Sequence, residues 1–373
     1  MEKNHLIAMN KEIVVFIDSL RGDGGVENVC VTIVNSFFEN QWHLTLLSLD
    51  PRGGENIKEK INPAVKCEIL NKKHVRTSIF AVWHWLLLHR PKKILVFSSQ
   101  LAVLLVILRS LLRMHFRIIS RNMNTLSQKN KKEKSFWHKF ITHNIVIALY
   151  KNVDLIIAQS QVMKEDLLEN YEIQESKITV INNPIQKKIE NYLLNDEPMK
   201  KISDDYIMCA GRLQPQKAFH YAIEAFARIA TDYPALRLKI LGQGNLEREL
   251  KQQAYDFNVS NKVDFEGYCR DIIPYYVNAR LTLLTSLYEG MPNVLIESIA
   301  LGTPIVSFDC LSGPNEIIQD GINGYLVRYQ DTEHLTECIR RALDRQWDSQ
   351  AVKATANKFS SAKIIAEYEK ALL

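Results

Sequence analysis

Residues 285–297 read Thr285-Ser286-Leu287-Tyr288-Glu289-Gly290-Met291-Pro292-Asn293-Val294-Leu295-Ile296-Glu297 and continue as Ser298 to Gly302. The four residues before them, 281–284, are a short apolar run of buried-strand type. Gly290 and Met291 make a turn, and Pro292 suits the first position of a helix, where its missing N–H would be unpaired anyway. The helix is expected to run through Asn293 and Val294 to 301 and stop at Gly302, with Pro304 and a new strand at 305–308 following. A strand, a turn and a helix in that order put the helix N-terminus at the carboxyl end of the sheet. Its unpaired N–H groups and partial positive charge suit an anion such as phosphate. Glu289 falls in the loop and Glu297 about one and a half turns into the helix. Two carboxylates flanking a phosphate-seeking helix end make sense if hydroxyls, as on a sugar and a ribose, lie on either side of that phosphate.

Outward from this stretch, strand and helix patterns alternate along the whole chain. Residues 11–18 form a continuous apolar strand leading into a Gly-rich turn with Gly24 and Gly25, then a helix to 38. Strands follow at 44–49, 67–70, 94–97, 117–120, 155–158 and 178–181, with helices at 79–89, 101–114, 135–150 and 160–171. Residues 186–203 are polar without a strong period and read as a linker. The alternation then restarts with strands at 206–210, 236–241, 263–265, 281–284, 305–308 and 324–327, and two helices, 332–345 and 361–372, close the chain. Such repetition predicts an α/β chain of doubly wound parallel sheets. The expected division is 1–185, 186–355, and a terminal segment 356–373. Ligands of open α/β sheets sit beyond the carboxyl ends of the strands, so a cleft between the two domains is the expected site.

The length of 373 residues suits two such domains, and 46% apolar with 24% charged residues is ordinary for a soluble protein. No window approaches the ~18–20 unbroken apolar residues that span a bilayer; the longest candidate, 101–112, is broken by Arg109. No signal peptide is visible in the first ten residues. Six scattered cysteines without a CxxC pair read as free thiols in a cytoplasmic protein, with no zinc. The net charge of +5 hides an asymmetry: residues 71–151 hold sixteen Lys or Arg against one acid, Glu133. Aromatic residues lie among these cations, as in Phe80, Trp83 and Trp85 beside His89, Arg90, Lys92 and Lys93, and in Phe136, Trp137 and Phe140 beside 129–134. Cations interleaved with aromatics suit an anionic membrane interface, although buried helices with solvated ends give the same pattern.

Taken singly, the remaining candidates could be ordinary loops and turns. Gly211-Arg212-Leu213-Gln214-Pro215-Gln216-Lys217 supplies two cations on a loop at a strand end, where Arg can grip phosphate oxygens in pairs. Gly24-Gly25 permits a close backbone approach, but it is not GxGxxG, so a dinucleotide reading is weak. No DxD-like acidic cluster occurs, so no metal is expected to bridge two phosphates; Arg212, Lys217 and the helix end at Pro292 could neutralise a diphosphate leaving group by themselves.

Together, Gly211-Arg212-x4-Lys217, then Glu289-x7-Glu297, then Gly313-Pro314-x-Glu316-Ile317-Ile318-x2-Gly321-x-Asn323-Gly324 resemble the nucleotide-sugar half of the family 4 retaining glycosyltransferases. Gly24-Gly25-x-Glu27 is similar to that family's first loop. The resemblance implies a GT-B fold of two Rossmann-like domains, the last helix crossing back onto the first. It implies that Arg212 and Lys217 bind the diphosphate and that Glu289 contacts the donor sugar near the reacting centre. Glu297 would hold the ribose, the amides of 291–294 would face the phosphates, and Gly24 and Gly25 would close over the donor. The implied reaction is metal-independent transfer from a nucleotide sugar, UDP-linked, with retention. The acceptor would be a saccharide, carried on polyprenyl diphosphate at the inner face of the cytoplasmic membrane, in surface-polysaccharide assembly (O-antigen, capsule or lipopolysaccharide).

Two positions depart from the family pattern. Arg121-Asn122 stands where many members have His, as in a subgroup that builds bacterial surface polysaccharides, and reads as a variant donor-sugar or acceptor contact. Ala218 stands where Gly is usual, which a backbone at negative φ would tolerate. Two other classes stay open here. A nucleotide-sugar epimerase on the same scaffold would need a His and carboxylate acid–base set. A basic module for nucleic acid or anionic surfaces would leave Glu289 and Glu297 without a use; nucleic acid is not the expected partner.

Overall fold

The structure is a computed structural model and describes residues 11–20, 24–50, 60–121, 148–195 and 205–373. The chain forms two compact units, one of Met1–Pro184 with Ser361–Leu373, the other of Ile185–Ser360.

The first unit runs β1 (Glu12–Ser19), α1 (Gly25–Glu39), β2 (His43–Asp50), β3 (Lys66–Ile69), α2 (Ile79–His89), β4 (Lys93–Val96), α3 (Ser99–Leu111), β5 (Arg117–Arg121), β6 (Leu155–Ala158), α4 (Gln161–Tyr171) and β7 (Ile178–Val180). Its seven strands lie in the order β3-β2-β1-β4-β5-β6-β7, every pairing parallel. Continuous Ile, Val and Leu runs form these strands because both faces are covered. Val14, Phe16, Ile94 and Ile118 pack under α2, α3 and α4, and Ile13, Val15, Leu95 and Ile119 pack under α1. Ser160 caps α4 through its hydroxyl, which accepts from Met163 N at 3.1 Å.

The second unit runs α5 (Lys187–Leu194), β8 (Tyr206–Ala210), α6 (Phe219–Ala227), β9 (Arg237–Leu241), α7 (Glu247–Asp256), β10 (Val263–Gly267), α8 (Ile273–Asn278), β11 (Leu281–Leu284), α9 (Asn293–Ala300), β12 (Ile305–Phe308), α10 (Pro314–Ile317), β13 (Gly324–Val327), α11 (Thr332–Asp344) and α12 (Ser349–Thr355). Its sheet is also all parallel, in the order β10-β9-β8-β11-β12-β13. The last helix, α13 (Ser361–Leu372), belongs to the first unit, where Ile364, Ile365, Tyr368 and Leu372 join the core over β1 and α1. The carbonyls at its end accept from Lys93 Nζ (2.9 Å) and from Arg117 (3.1 and 3.3 Å), cations where a helix dipole favours them.

Three local expectations need correction. The stretch 186–203 is not simply a linker: 187–194 is helical, an eight-residue helix that buries only Ile189, too short a stripe to show a period. Two helices were expected to close the chain after 332, but α12 stands between them, capped by Asp348. Pro292 is the N-cap of α9 rather than its first residue, with its carbonyl accepting from Leu295 and Ile296. The expected helix 135–150 and the cations of 129–134 lie almost wholly outside the described residues.

Candidate functional site

Strand order reverses between β8 and β11, so the loops that leave these two neighbours diverge and open a crevice at their carboxyl ends. The loop after β8 is 211–218 and the loop after β11 is 285–292. They are stitched to each other: Leu287 N donates to Gln216 O (2.8 Å), Gln216 Nε2 to Tyr288 O (2.9 Å) and Thr285 Oγ1 to Lys217 O (3.1 Å). Beneath them lies the third loop, 242–244. A Cβ on Gly242 would sit 1.9 Å from Gly211 O, and one on Gly244 2.2 Å from Leu213 O. Gly242-x-Gly244, unremarkable in the sequence, thus lets two backbones touch. Gly211 itself is at φ 152°, and a Cβ on it would sit 2.9 Å from Lys217 Cε.

That packing aims Lys217 at Glu289. Their Nζ and Oε1 are 2.6 Å apart, with the lysine side chain 17% and the carboxylate 9% exposed. A pair so shielded from water attracts strongly, and each partner offsets the burial of the other. Arg212 is exposed and lies near Tyr288. Burial first, then the Glu289 charge, raise the Tyr288 phenol, and Arg212 opposes them. Ala218 follows at φ 46°, ψ 42° and is buried, so the expected negative φ is not found. The alanine occupies the left-handed conformation that glycine adopts without strain.

Gly290, Met291 and Pro292 are buried, and Asn293 and Val294 open α9. The entry to this helix is braced from behind: Ser312 Oγ donates to Gly290 O at 2.7 Å, and a Cβ on Gly313 would be 2.5 Å from Pro292 Cδ. The Gly313–Gly324 motif continues through α10 into a turn pinned by Asn323. Its side chain donates to Ile317 O and Thr355 Oγ1 and accepts from Gln319 N.

Glu297 is 6% exposed. Its Oε2 accepts from the Tyr276 hydroxyl at 3.0 Å and its Oε1 from Gln186 Nε2. Burial raises the carboxyl's pKa, while Lys188, Tyr276 and Gln186 pull it back. The Tyr276 phenol is pushed well up by burial and by Glu297, so it stays protonated and donates. Neither partner is marked by a sequence signal. Tyr276 lies on a six-residue helix, and Gln186 is 111 residues from the carboxylate it meets.

In the first unit, Gly24 is the N-cap of α1 and Gly25 its first residue. A Cβ on Gly24 would fall 2.1 Å from Glu27 Oε2. Arg121, at the carboxyl end of β5, is 1% exposed and turned inward. Nε donates to Tyr368 OH at 2.8 Å and Nη2 to Asn183 Oδ1, the guanidinium lies 5.2 Å from the Phe97 ring centroid, and Nη1 is buried with no hydrogen-bond partner among the described residues. Asn122 lies outside the described residues.

The model described as "Glycosyltransferase Family 4" matches residues 23–188, and that described as "Glycosyl transferases group 1" matches 191–359. The Campylobacter jejuni N-acetylgalactosamine-N,N'-diacetylbacillosaminyl-diphospho-undecaprenol 4-alpha-N-acetylgalactosaminyltransferase is 30% identical over 245 residues, 64% of this chain and 66% of that protein. The amylovoran biosynthesis glycosyltransferase AmsD of Erwinia amylovora is 24% identical over 339 residues, 89% of this chain and 90% of its own. Coverage of the curated relatives is uneven: the chain spans 54% of one relative's length and 23% of another's. Among solved structures, Anabaena HepE in complex with UDP superposes with a TM-score of 0.76 at 18% identity, over 97% of this chain and 99% of that one.

Proposed function

The chain belongs to the family 4 glycosyltransferases, of GT-B fold, and from that we propose a retaining, metal-independent transfer of a sugar from a UDP-sugar to a polyprenyl-diphosphate-linked saccharide. One observation carries the reading: the loops at the strand-order reversal of the second sheet bring Arg212, Lys217, Glu289 and the start of α9 together, with Glu297 further along the same helix. The Campylobacter relative named for a diphospho-undecaprenol acceptor and the likeness to a UDP-bound fold support the choice of acceptor and donor.

In the proposed reaction Arg212, Lys217 and the α9 N-terminus hold the diphosphate. The bond from the anomeric carbon to the phosphate oxygen breaks as the acceptor oxygen bonds to that carbon on the same face. The acceptor proton passes to the departing phosphate. Charge grows on the phosphate as the bond breaks, and fixed cations stabilise it most at that point. Glu289 faces the sugar and keeps Lys217 in place; Glu297 accepts from the ribose hydroxyls. No helix among the described residues is long and apolar enough to cross a membrane, and the proposed place of action is the inner face of the cytoplasmic membrane, in surface-polysaccharide assembly.

The test pairs UDP-, GDP- and ADP-sugars with a synthetic polyprenyl-diphosphate saccharide, with and without a chelator. A UDP-sugar should give a product with the donor's anomeric configuration, and the chelator should not slow it. Inverted product, or activity lost to the chelator, would overturn the corresponding part, and failure of Glu289→Ala to reduce transfer would overturn the site.

A further inference from the structure

Six large apolar side chains stand exposed on α2 and α3: Ile79, Phe80, Leu87, Leu88, Ile107 and Leu111. Phe80 is 86% exposed, Leu88 65% and Leu111 64%. On α2 the spacing is regular. Val82, Trp85 and Leu86 face the core, while Phe80, His84, Leu87 and Leu88 fall at helical intervals on the opposite side. The helix is therefore apolar on both faces, which a helix facing water on one side does not need. Leaving so much apolar surface wet is unfavourable unless something covers it.

α2 and α3 lie on the same face of the first sheet, since both bury residues in one core cluster with β4 and β5. Each returns the chain between parallel strands, so both run against the strands and their C-terminal ends lie at the same edge. Leu87, Leu88 and Leu111 therefore share that edge with the exposed cations Arg90 and Arg113. At the other end of α2, exposed Lys73 and Arg76 precede exposed Phe80. From 71 to 117 the chain has nine Lys or Arg and no Asp or Glu. Glu68, Glu12 and Asp154 come to this face from other elements and pair with His89, Lys92 and Arg109, and the cations still outnumber them. An apolar stripe with a cationic excess at its rim is complementary to a surface that is apolar below and anionic above.

We propose that the outer face of α2 with the C-terminal end of α3 is an interfacial docking surface for a bilayer rich in anionic phospholipid. Phe80, Leu87, Leu88 and Leu111 enter the boundary between headgroups and acyl chains, and Lys73, Arg76, Arg90 and Arg113 stay at the level of the phosphates. The chain then lies on the membrane and does not span it. The proposal deepens the membrane-face placement given above, but vesicle binding is measured without donor or acceptor, so its failure leaves sugar transfer standing and the reverse.

The test is co-flotation of the full chain with vesicles. Vesicles of phosphatidylcholine with phosphatidylglycerol should carry the protein at low salt, and phosphatidylcholine alone should bind it at least ten-fold less. High salt should weaken binding, because the charge attraction is screened. Phe80→Ser with Leu88→Ser should weaken binding ten-fold or more, by the loss of two inserted side chains. Lys73→Glu with Arg76→Glu should weaken it about 25-fold or more, at about five-fold per lost cation. All four positions are exposed, so the thermal midpoint should hold in both variants. Wild type remaining in solution beside anionic vesicles, or both variants floating as wild type does, would overturn the proposal. So would self-association in vesicle-free buffer that the apolar variant abolishes, since the stripe would then be a contact between copies.

Discussion

Replacing Tyr276 by Phe removes one oxygen from a buried site and nothing else. In the wild type that hydroxyl donates to Glu297 Oε2 at 3.0 Å, and the only other side-chain hydrogen bond to the carboxylate among the described residues comes from Gln186. A hydrogen bond to a charged group is worth about 1.5–3 kcal/mol. Glu297 is too well buried for water to replace it freely, so the loss should reach that range. For a unit of this size the thermal midpoint should fall by roughly 3–10 °C near neutral pH. The pH dependence follows from sign. Burial holds the folded pKa of Glu297 above its ordinary value, so the carboxylate becomes neutral on acidification earlier than an exposed glutamate. The Tyr276 bond matters most to the charged form. Its removal raises that pKa further, and the penalty should shrink as pH falls through and below the wild-type pKa. If Glu297 also holds the ribose, UDP should bind roughly ten-fold more weakly, about 1.4 kcal/mol, because the carboxylate has lost its orientation. Differential scanning fluorimetry across pH and titration calorimetry with UDP read both quantities. An unchanged midpoint at neutral pH, or a penalty that grows on acidification, would refute the reasoning.

Lys217→Met leaves the Glu289 carboxylate buried and unpaired and should cost about 3–5 kcal/mol. Adding Glu289→Gln should recover much of that stability in thermal melts while sugar transfer stays lost; recovery of both would mean that the pair is only structural. At Ala218, relief of left-handed strain in Ala218→Gly, about 1–2 kcal/mol, is offset by the lost methyl and the freer unfolded chain, so the midpoint should move little. Ala218→Val should destabilise strongly, as β-branched side chains tolerate φ near 46° poorly, and a neutral valine would contradict this. Arg121→Lys should lower the melting transition of the first unit by several degrees, since one ammonium cannot reproduce the fork to Tyr368 and Asn183; wild-type stability would show the fork to be dispensable.

The parts of the fold that could be read from the sequence are those whose cause is local. Strands such as Val14–Phe16 or Leu281–Leu284 are apolar without interruption because both sheet faces are covered, and few other local structures demand that pattern. The loops expected to build the site were legible because they leave strand carboxyl ends, where ligands of such sheets gather; the reversal of strand order that brings two of them together was not. What could not be read is decided by contacts between distant segments. Ala218 shows only a methyl where the family resemblance expects glycine, and its positive φ falls between Lys217, paired with Glu289, and Phe219, buried in the core. Arg121 has the chemistry of a ligand-binding residue and stands at a strand end where ligands gather, yet 247 residues later Tyr368 takes its Nε, and Asn183 takes a second nitrogen. Glu297 is the intermediate case. The sequence offers it to a hydroxyl, and the fold supplies one from Tyr276 before any substrate arrives. A carboxylate that already accepts from a phenol and an amide still has lone pairs to spare, and it is held in one orientation by both. On the proposed reading, a ribose diol would meet an acceptor already fixed in place, and the affinity of that contact would rest on two residues that no motif names.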